Sequence, residues 1–205
     1  MSVDDDLPVA GTVVLLRSAP NGVEVLLMRR PDRGSFASAW VFPGGRVEEG
    51  DRRPGAAEED DARRAGIRET EEEVGLRVDD LVVLSRWEPP LDAPVRIRTW
   101  FFLSAAPDGQ AVVAAADEVA AVEWVTPAEA LVRHGAGEWT LFPPTWVTLH
   151  RLSAFADVHS ALASGGEAST FRTRADGTAF RWDSGVLETS RLPWTFVEVS
   201  SPAAG

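Results

Sequence analysis

The sequence predicts an α/β (α+β) fold on three observations. Val- and Leu-rich extended segments open the chain, one uninterrupted helical pattern runs from Glu58 to Val74, and strand candidates followed by helix starts come after it. With 205 residues, 44% of them hydrophobic and 25% charged, the chain can bury one sizeable core and carry a small appendage.

The first two segments, Gly11 to Arg17 and Val23 to Met28, flank Ser18-Ala19-Pro20-Asn21-Gly22, a turn signal, and read as a hairpin. Ala39 to Phe42 is a short extended piece entering Pro43-Gly44-Gly45, expected to be a loop in which two glycines permit close approach of a ligand to the backbone. From about Glu58 to Val74 proline is absent and Ala, Arg and Glu dominate, with Gly75 placed to cap the helix in the left-handed conformation. Gly66 inside this helix costs roughly 1 kcal/mol relative to Ala, which points to a close contact on its face. Strands are expected at Leu81 to Trp87, Val95 to Leu103 and Val119 to Val125. The second alternates Arg96, Arg98, Trp100 and Phe102 against Ile97, Thr99, Phe101 and Leu103, so both of its faces are used. Thr126-Pro127 starts a helix to about Arg133, and Pro144 opens a longer helical pattern through about Leu162. Ser164-Gly165-Gly166 marks a boundary: residues 1–164 are expected to form the main domain and residues 165–205 a small β-rich extension, with strands near Thr170 to Arg174, Thr178 to Trp182 and Thr195 to Val199. That extension would either cover the active site or build a homodimer interface.

Composition removes several classes of function. Without cysteine there are no disulfides, thiolate metal sites or thiol nucleophiles. The acidic start MSVDDDLPVAG lacks the basic flank and apolar stretch of a signal peptide, and no run reaches membrane-spanning length, so a cytoplasmic protein with no membrane partner is expected. A net charge of −12 argues against long nucleic acid, whose backbone needs a basic surface. A phosphorylated small molecule is compatible if metal ions and a few Arg side chains meet its charge locally.

Such a place exists on the Glu58–Val74 helix. Glu69, Glu72 and Glu73, spaced i, i+3 and i+4, share an arc of roughly 100°. They crowd the negative end of the helix dipole, and Arg68 alone does not neutralise them. A hard divalent cation completes the balance; oxygen donors without His or Cys suit Mg²⁺ or Mn²⁺ and argue against zinc. An acidic helix is ordinarily just a solvated face. Here the Gly-rich segment shifts the reading: Gly44-Gly45, Arg68-Glu69 and Glu72-Glu73-Val74-Gly75-Leu76 together resemble the Nudix box.

Two departures stand out. With Gly45 as the first glycine, the acidic position of the box falls on Asp51, and Arg68 follows 17 positions later where the box has 8, an insertion of nine residues that puts the role of Asp51 in question. Thr70 occupies an apolar position. The likeness extends through Val23 to Arg29, Trp40 to Gly45 and Val119 to Trp124.

The resemblance implies the Nudix fold, a mixed β-sheet sandwiched between helices, and a metal-dependent hydrolase of a diphosphate linkage. It implies that the Gly45 carbonyl with Glu69, Glu72 and Glu73 holds Mg²⁺ or Mn²⁺, and that Arg68 orients the glutamates. The general base is expected outside the box, at Glu118 with Asp117 as fallback, and Arg29, Arg30 and Arg33 are candidates for phosphate oxygens alongside the Gly44-Gly45 backbone. The insertion after Phe42-Pro43-Gly44-Gly45, the run from Ala65 to Thr70 and the helix start at Phe142-Pro143-Pro144-Thr145 look like the branch of peroxisomal coenzyme A diphosphatases, which suggests coenzyme A or an acyl-coenzyme A. ADP-ribose, dinucleoside polyphosphates and oxidised nucleotides stay open, as does a catalytically silent nucleotide-binding module. Trp87, Trp100 and Phe102 read as core, and His134, His150 and His159 as helical surface.

Overall fold

A computed structural model describes residues 7–20, 22–34 and 36–198. Asn21 of the expected turn, Val199 of the last expected strand and the first six residues of the acidic start lie outside them.

The large sheet has eight strands: β1 (Val9–Ala19), β2 (Gly22–Arg29), β3 (Trp40–Val41), β4 (Gly44–Arg46), β5 (Val82–Glu88), β6 (Arg98–Ala105), β7 (Ala121–Val125) and β8 (Ser169–Arg172). Its main order is β3-β2-β1-β6-β5-β8, with β4 pairing β1 and β7 pairing β2. The β1–β6 and β5–β8 ladders are parallel and the others antiparallel, so the sheet is mixed. Among the described residues four α-helices accompany it: α1 (Glu58–Val74), α2 (Pro127–Gly135), α3 (Pro143–Leu152) and α4 (Val158–Ala163). The chain then forms a separate antiparallel meander of β9 (Arg174–Asp176), β10 (Ala179–Trp182), β11 (Gly185–Glu188) and β12 (Thr195–Glu198).

Period-two alternation explains the layering. Val13 and Leu15 of β1, Leu26 and Met28 of β2, and Trp100 and Phe102 of β6 join Ala62 and Val74 of α1 in one apolar cluster. Their neighbours Val14, Leu16, Val25, Leu27, Phe101 and Leu103 join a second cluster with Trp146 and Leu149 of α3, Ala161 of α4, and Phe171, Trp182 and Leu187 from the C-terminal strands. The sheet is therefore buried on both faces, with α1 on one and α3, α4 and the C-terminal strands on the other. Trp87, Trp100 and Phe102 are core, as expected; Trp87 stacks on Phe171 with centroids 4.0 Å apart.

Helix α1 spans the residues its sequence predicts. Glu58, Glu59, Asp60 and Asp61 complement the dipole in its first turn, and Gly75 caps it at φ 71°. It lies against β1 at backbone distance: a Cβ added to Gly11 would sit 1.8 Å from the Ala62 carbonyl oxygen, and one on Gly66 would meet Val13 at 3.1 Å. The contact expected at Gly66 is thus a glycine–glycine crossing of helix over strand.

Three local expectations are corrected. Gly44 and Gly45 are in strand β4, paired with Thr12 and Gly11, because an extended backbone without side chains fits between β1 and α1. The helical pattern after Pro144 breaks into α3 and α4, since Asp157 turns to cap the second by accepting the Ser160 N–H. His134 is not surface: it is 4% exposed, and its Nδ1 lies 3.0 Å from the Trp139 carbonyl oxygen. Burial pushes its pKa below the ordinary histidine value against the effect of that backbone contact. His150 and His159 are exposed. Among the described residues no helix is long and apolar enough to cross a membrane.

Candidate active site

Arg68 is the hub. Its Nε donates to Asp51 Oδ1 at 3.2 Å and its Nη2 to Asp51 Oδ2 and the Arg46 carbonyl oxygen, both at 3.0 Å. Its Nη1 donates to Glu69 Oε1 and Glu72 Oε2, both at 2.8 Å. One planar guanidinium thus ties α1 to β4 and to the 3₁₀ turn at Glu49–Asp51, geometry that a lysine ammonium does not reproduce. The insertion leaves Asp51 facing Arg68. Residues 52–57 loop out before α1 begins, and Asp51, 5% exposed, also accepts the Glu48 N–H at 2.9 Å. Burial opposes ionisation of Asp51, but the Arg68 and Glu48 hydrogen bonds and the charges of Arg68 and Arg64 outweigh it and hold the carboxyl below its usual range.

Glu73 points the other way. It is 1% exposed, its Oε2 accepts the Gly44 N–H at 2.8 Å, and its Oε1 accepts Arg30 Nη1 at 2.5 Å. Burial raises its pKa to about 7; the Gly44 and Arg30 contacts oppose the shift and the charge of Glu69 adds to it. Glu69 is raised too, chiefly by burial, with Arg68 opposing and the charges of Glu72 and Glu118 contributing. Those mutual influences place Glu69, Glu72, Glu73 and Glu118 in one electrostatic neighbourhood.

Gly45 meets Glu69: a Cβ there would lie 2.3 Å from Glu69 Cδ and Oε1, so the carboxylate occupies space that any other residue would fill. Glu118 is exposed, in a segment docked on the end of α1. The Val113 N–H donates to the Val74 carbonyl oxygen and the Ala115 N–H to that of Glu73, each at 2.9 Å, and Arg33 Nη2 reaches the Asp117 carbonyl oxygen at 2.7 Å. Arg29 is exposed and bonds the Ser38 hydroxyl at 3.4 Å. Of the arginines considered for phosphate, Arg30 faces Glu73, Arg33 holds the 117 backbone, and Arg29 points outward. An open depression of about 500 Å³, lined by Arg64, Ile67, Arg68, Glu71 and Glu72, runs along the outer face of α1.

The fit to a metal can be judged from the donors. Among the described residues no group of three or more His, Cys, Asp or Glu side chains already surrounds a common point. Glu73 is turned to Gly44 and Arg30, while Glu69 and Glu72 share Arg68. The donors beside the side-chain-free Gly45 are nevertheless all oxygen and mutually repelling, the chemistry of a hard divalent cation. The Arg30–Glu73 bond, spanning 43 positions, and the docking of residues 113–115 were missed by sequence reasoning; the Val-rich run Ala111-Val112-Val113 was the available signal for the latter.

A mixed sheet enclosed on both faces, with an Arg-Glu and Glu-Glu helix laid against a Gly-Gly strand, defines the Nudix hydrolase class of enzyme. The chain belongs to the Nudix family, whose NUDIX domain model matches residues 7–143. Among solved structures it resembles a Nudix hydrolase from Alicyclobacillus acidocaldarius, with TM-score 0.70 and 22% identity over 80% of this chain and 99% of that one. It also resembles the Nudix domain of Shewanella oneidensis NrtR, complexed with ADP ribose (TM-score 0.55, 17% identity, 72% and 86% covered). A third likeness is to a C. elegans Ap4A hydrolase in a binary complex (0.52, 20%, 72% and 96%). At these identities the likenesses show the fold. No curated protein matches the chain. Nudix hydrolases generally use divalent metals and act on phosphorylated small molecules.

Proposed function

We propose that this protein hydrolyses the diphosphate linkage of a nucleoside diphosphate derivative with Mg²⁺ or Mn²⁺, and that coenzyme A or an acyl-coenzyme A is its substrate. The observation that carries the hydrolase reading is the Arg68 hub, which binds Asp51, Glu69 and Glu72 at once and sets the Glu69 carboxylate against Gly45. The Gly45 carbonyl, Glu69, Glu72 and Glu73 would hold the cation. When bound, it supplies neutralisation of diphosphate charge and a lowered pKa for the attacking water.

The remaining work belongs to the chain. Arg68 fixes Glu69 and Glu72, while Gly44 and Arg30 fix Glu73. The Glu118 carboxylate accepts the water proton, with Asp117 as the alternative acceptor. Arg29 lies free to meet a phosphate oxygen once its weak Ser38 contact is given up. Support for a coenzyme A substrate comes from the insertion after Asp51 and from Phe142-Pro143-Pro144-Thr145, which resemble the coenzyme A diphosphatase branch. The ADP ribose and Ap4A of two structural relatives keep those compounds in the test. The reading includes a cytoplasmic address and a domain boundary near residue 164; of the residues after it, the β9–β12 meander forms a separate sheet while β8 joins the main one.

Purified protein is incubated with coenzyme A, acyl-coenzyme A, ADP-ribose, NADH and dinucleoside polyphosphates, with Mg²⁺, Mn²⁺ or excess chelator, beside Glu72→Gln and Glu73→Gln. Cleavage of a coenzyme A compound that requires the metal and drops about 100-fold or more in both variants is expected. Cleavage of another member alone refutes the coenzyme A assignment. If folded protein cleaves nothing while a nucleotide raises its melting temperature, a silent binding module replaces the hydrolase.

A further inference from the structure

Between Arg30 and Ala39 the chain forms a loop pinned to three neighbours. At its start Arg30 reaches Glu73, 2.5 Å away. Midway, Arg33 Nη2 donates to the Asp117 carbonyl oxygen at 2.7 Å, one residue before Glu118. On the return limb the Trp40 N–H donates to the Thr140 carbonyl oxygen at 2.9 Å. The loop is also cinched internally: the Pro31 carbonyl oxygen accepts the Arg33 N–H at 2.8 Å and the Ser38 N–H at 3.2 Å, and the Ser38 hydroxyl donates to Asp32 Oδ1 at 3.1 Å. These bonds hold residues 30–33 and 38–40 as a rim beside the carboxylates.

Near the crest of this rim stands Phe36. The residue is 39% exposed, and among the described residues it is the one aromatic among the exposed large hydrophobic residues. Phe142, at the start of α3, packs edge-on against it with centroids 5.0 Å apart and an interplanar angle of 86°. A perpendicular ring contact steadies Phe36, and the exposed part of its π surface accepts a flat heteroaromatic group.

We infer that Phe36, braced by Phe142, is the platform on which the substrate's nucleobase stacks, making it a specificity-determining residue for base-bearing diphosphates. This rests on the proposed diphosphate hydrolase reading. Stacking on one ring is tolerant of base identity, so the platform selects nucleoside derivatives over base-free diphosphates without choosing among bases.

The test is equilibrium binding by titration calorimetry to the full chain with Mg²⁺, using adenosine α,β-methylene diphosphate and base-free methylenediphosphonate. The proteins are wild type, Phe36→Ala and Phe36→Trp, each with its melting temperature recorded. Phe36→Ala is expected to weaken the adenosine compound about ten-fold and methylenediphosphonate by less than two-fold, with Phe36→Trp equal to wild type or tighter. Equal affinity of wild type and Phe36→Ala for the adenosine compound overturns the platform, as does equal weakening of both ligands. Wild type that binds methylenediphosphonate without preferring the adenosine compound overturns the platform alone, leaving the hydrolase reading standing. Failure to bind either ligand overturns both.

Discussion

Arg68 and Glu73 stand five positions apart on one helix and answer opposite needs. Arg68 neutralises: without it Asp51 is left buried beside a polar backbone and the Glu69–Glu72 pair repels without compensation. Because the guanidinium is itself partly solvated, Arg68→Ala is expected to cost about 2–3 kcal/mol in urea unfolding, below the full penalty of a broken buried pair. Arg68→Lys should recover less than half of that, since an ammonium cannot serve Asp51 and two glutamates together. Glu73 is held in burial that favours its protonated form. Its folded pKa of about 7 lies above the 4.5 of an ordinary Glu, so between those values the native state binds more protons than the unfolded one. Stability of metal-free protein contributed by this group is therefore greatest below about pH 4.5 and is lost as pH rises toward 7. In chelator, denaturation between pH 5 and 7.5 should show that decline, and Glu73→Gln should flatten it.

The decisive contact between elements is the crossing of α1 over β1. Gly11 faces backbone atoms of Ala62 and Gly66, which cannot rotate aside. Gly11→Ala is expected to cost about 3 kcal/mol or more and to lower activity by shifting the helix that carries the glutamates, measured by thermal unfolding and turnover together. Elements written in local patterns were legible in the sequence. Helix α1 declares itself by composition and its Gly75 cap, and β1, β2, β5 and β7 by apolar runs. The three glutamates and the Gly44-Gly45 segment were legible for the same reason. What escaped depended on distant partners: β4 is a strand only because β1 lies beside it, β11 is a four-residue run with no marked alternation, and Arg30 meets Glu73 across the fold. Val95 to Ile97 read as strand by alternation, but pairing with β1 begins only at Arg98 and with β5 only at Thr99.

At the scale of the molecule, the C-terminal segment is part of the second core. Phe171, Trp182 and Leu187 are buried against Trp87 and Trp146, on the sheet face opposite α1. Removing residues from 165 onward should strip that face, abolish a cooperative melting transition in calorimetry and leave aggregated protein without activity. A truncated chain that melts cooperatively and turns over substrate would show that the segment is dispensable.

The parallel pairing of β5 with β8 also orders events in time. A ribosome making 5–20 residues per second needs on the order of 4–16 s to go from β5 to β8, and until then β5 presents a bare hydrogen-bonding edge and an uncovered Trp87. Of the strands of the large sheet, β8 is the last to be synthesised, so the nascent chain keeps that edge sticky until β8 emerges, and its yield in a cell depends on chaperone cover during that interval.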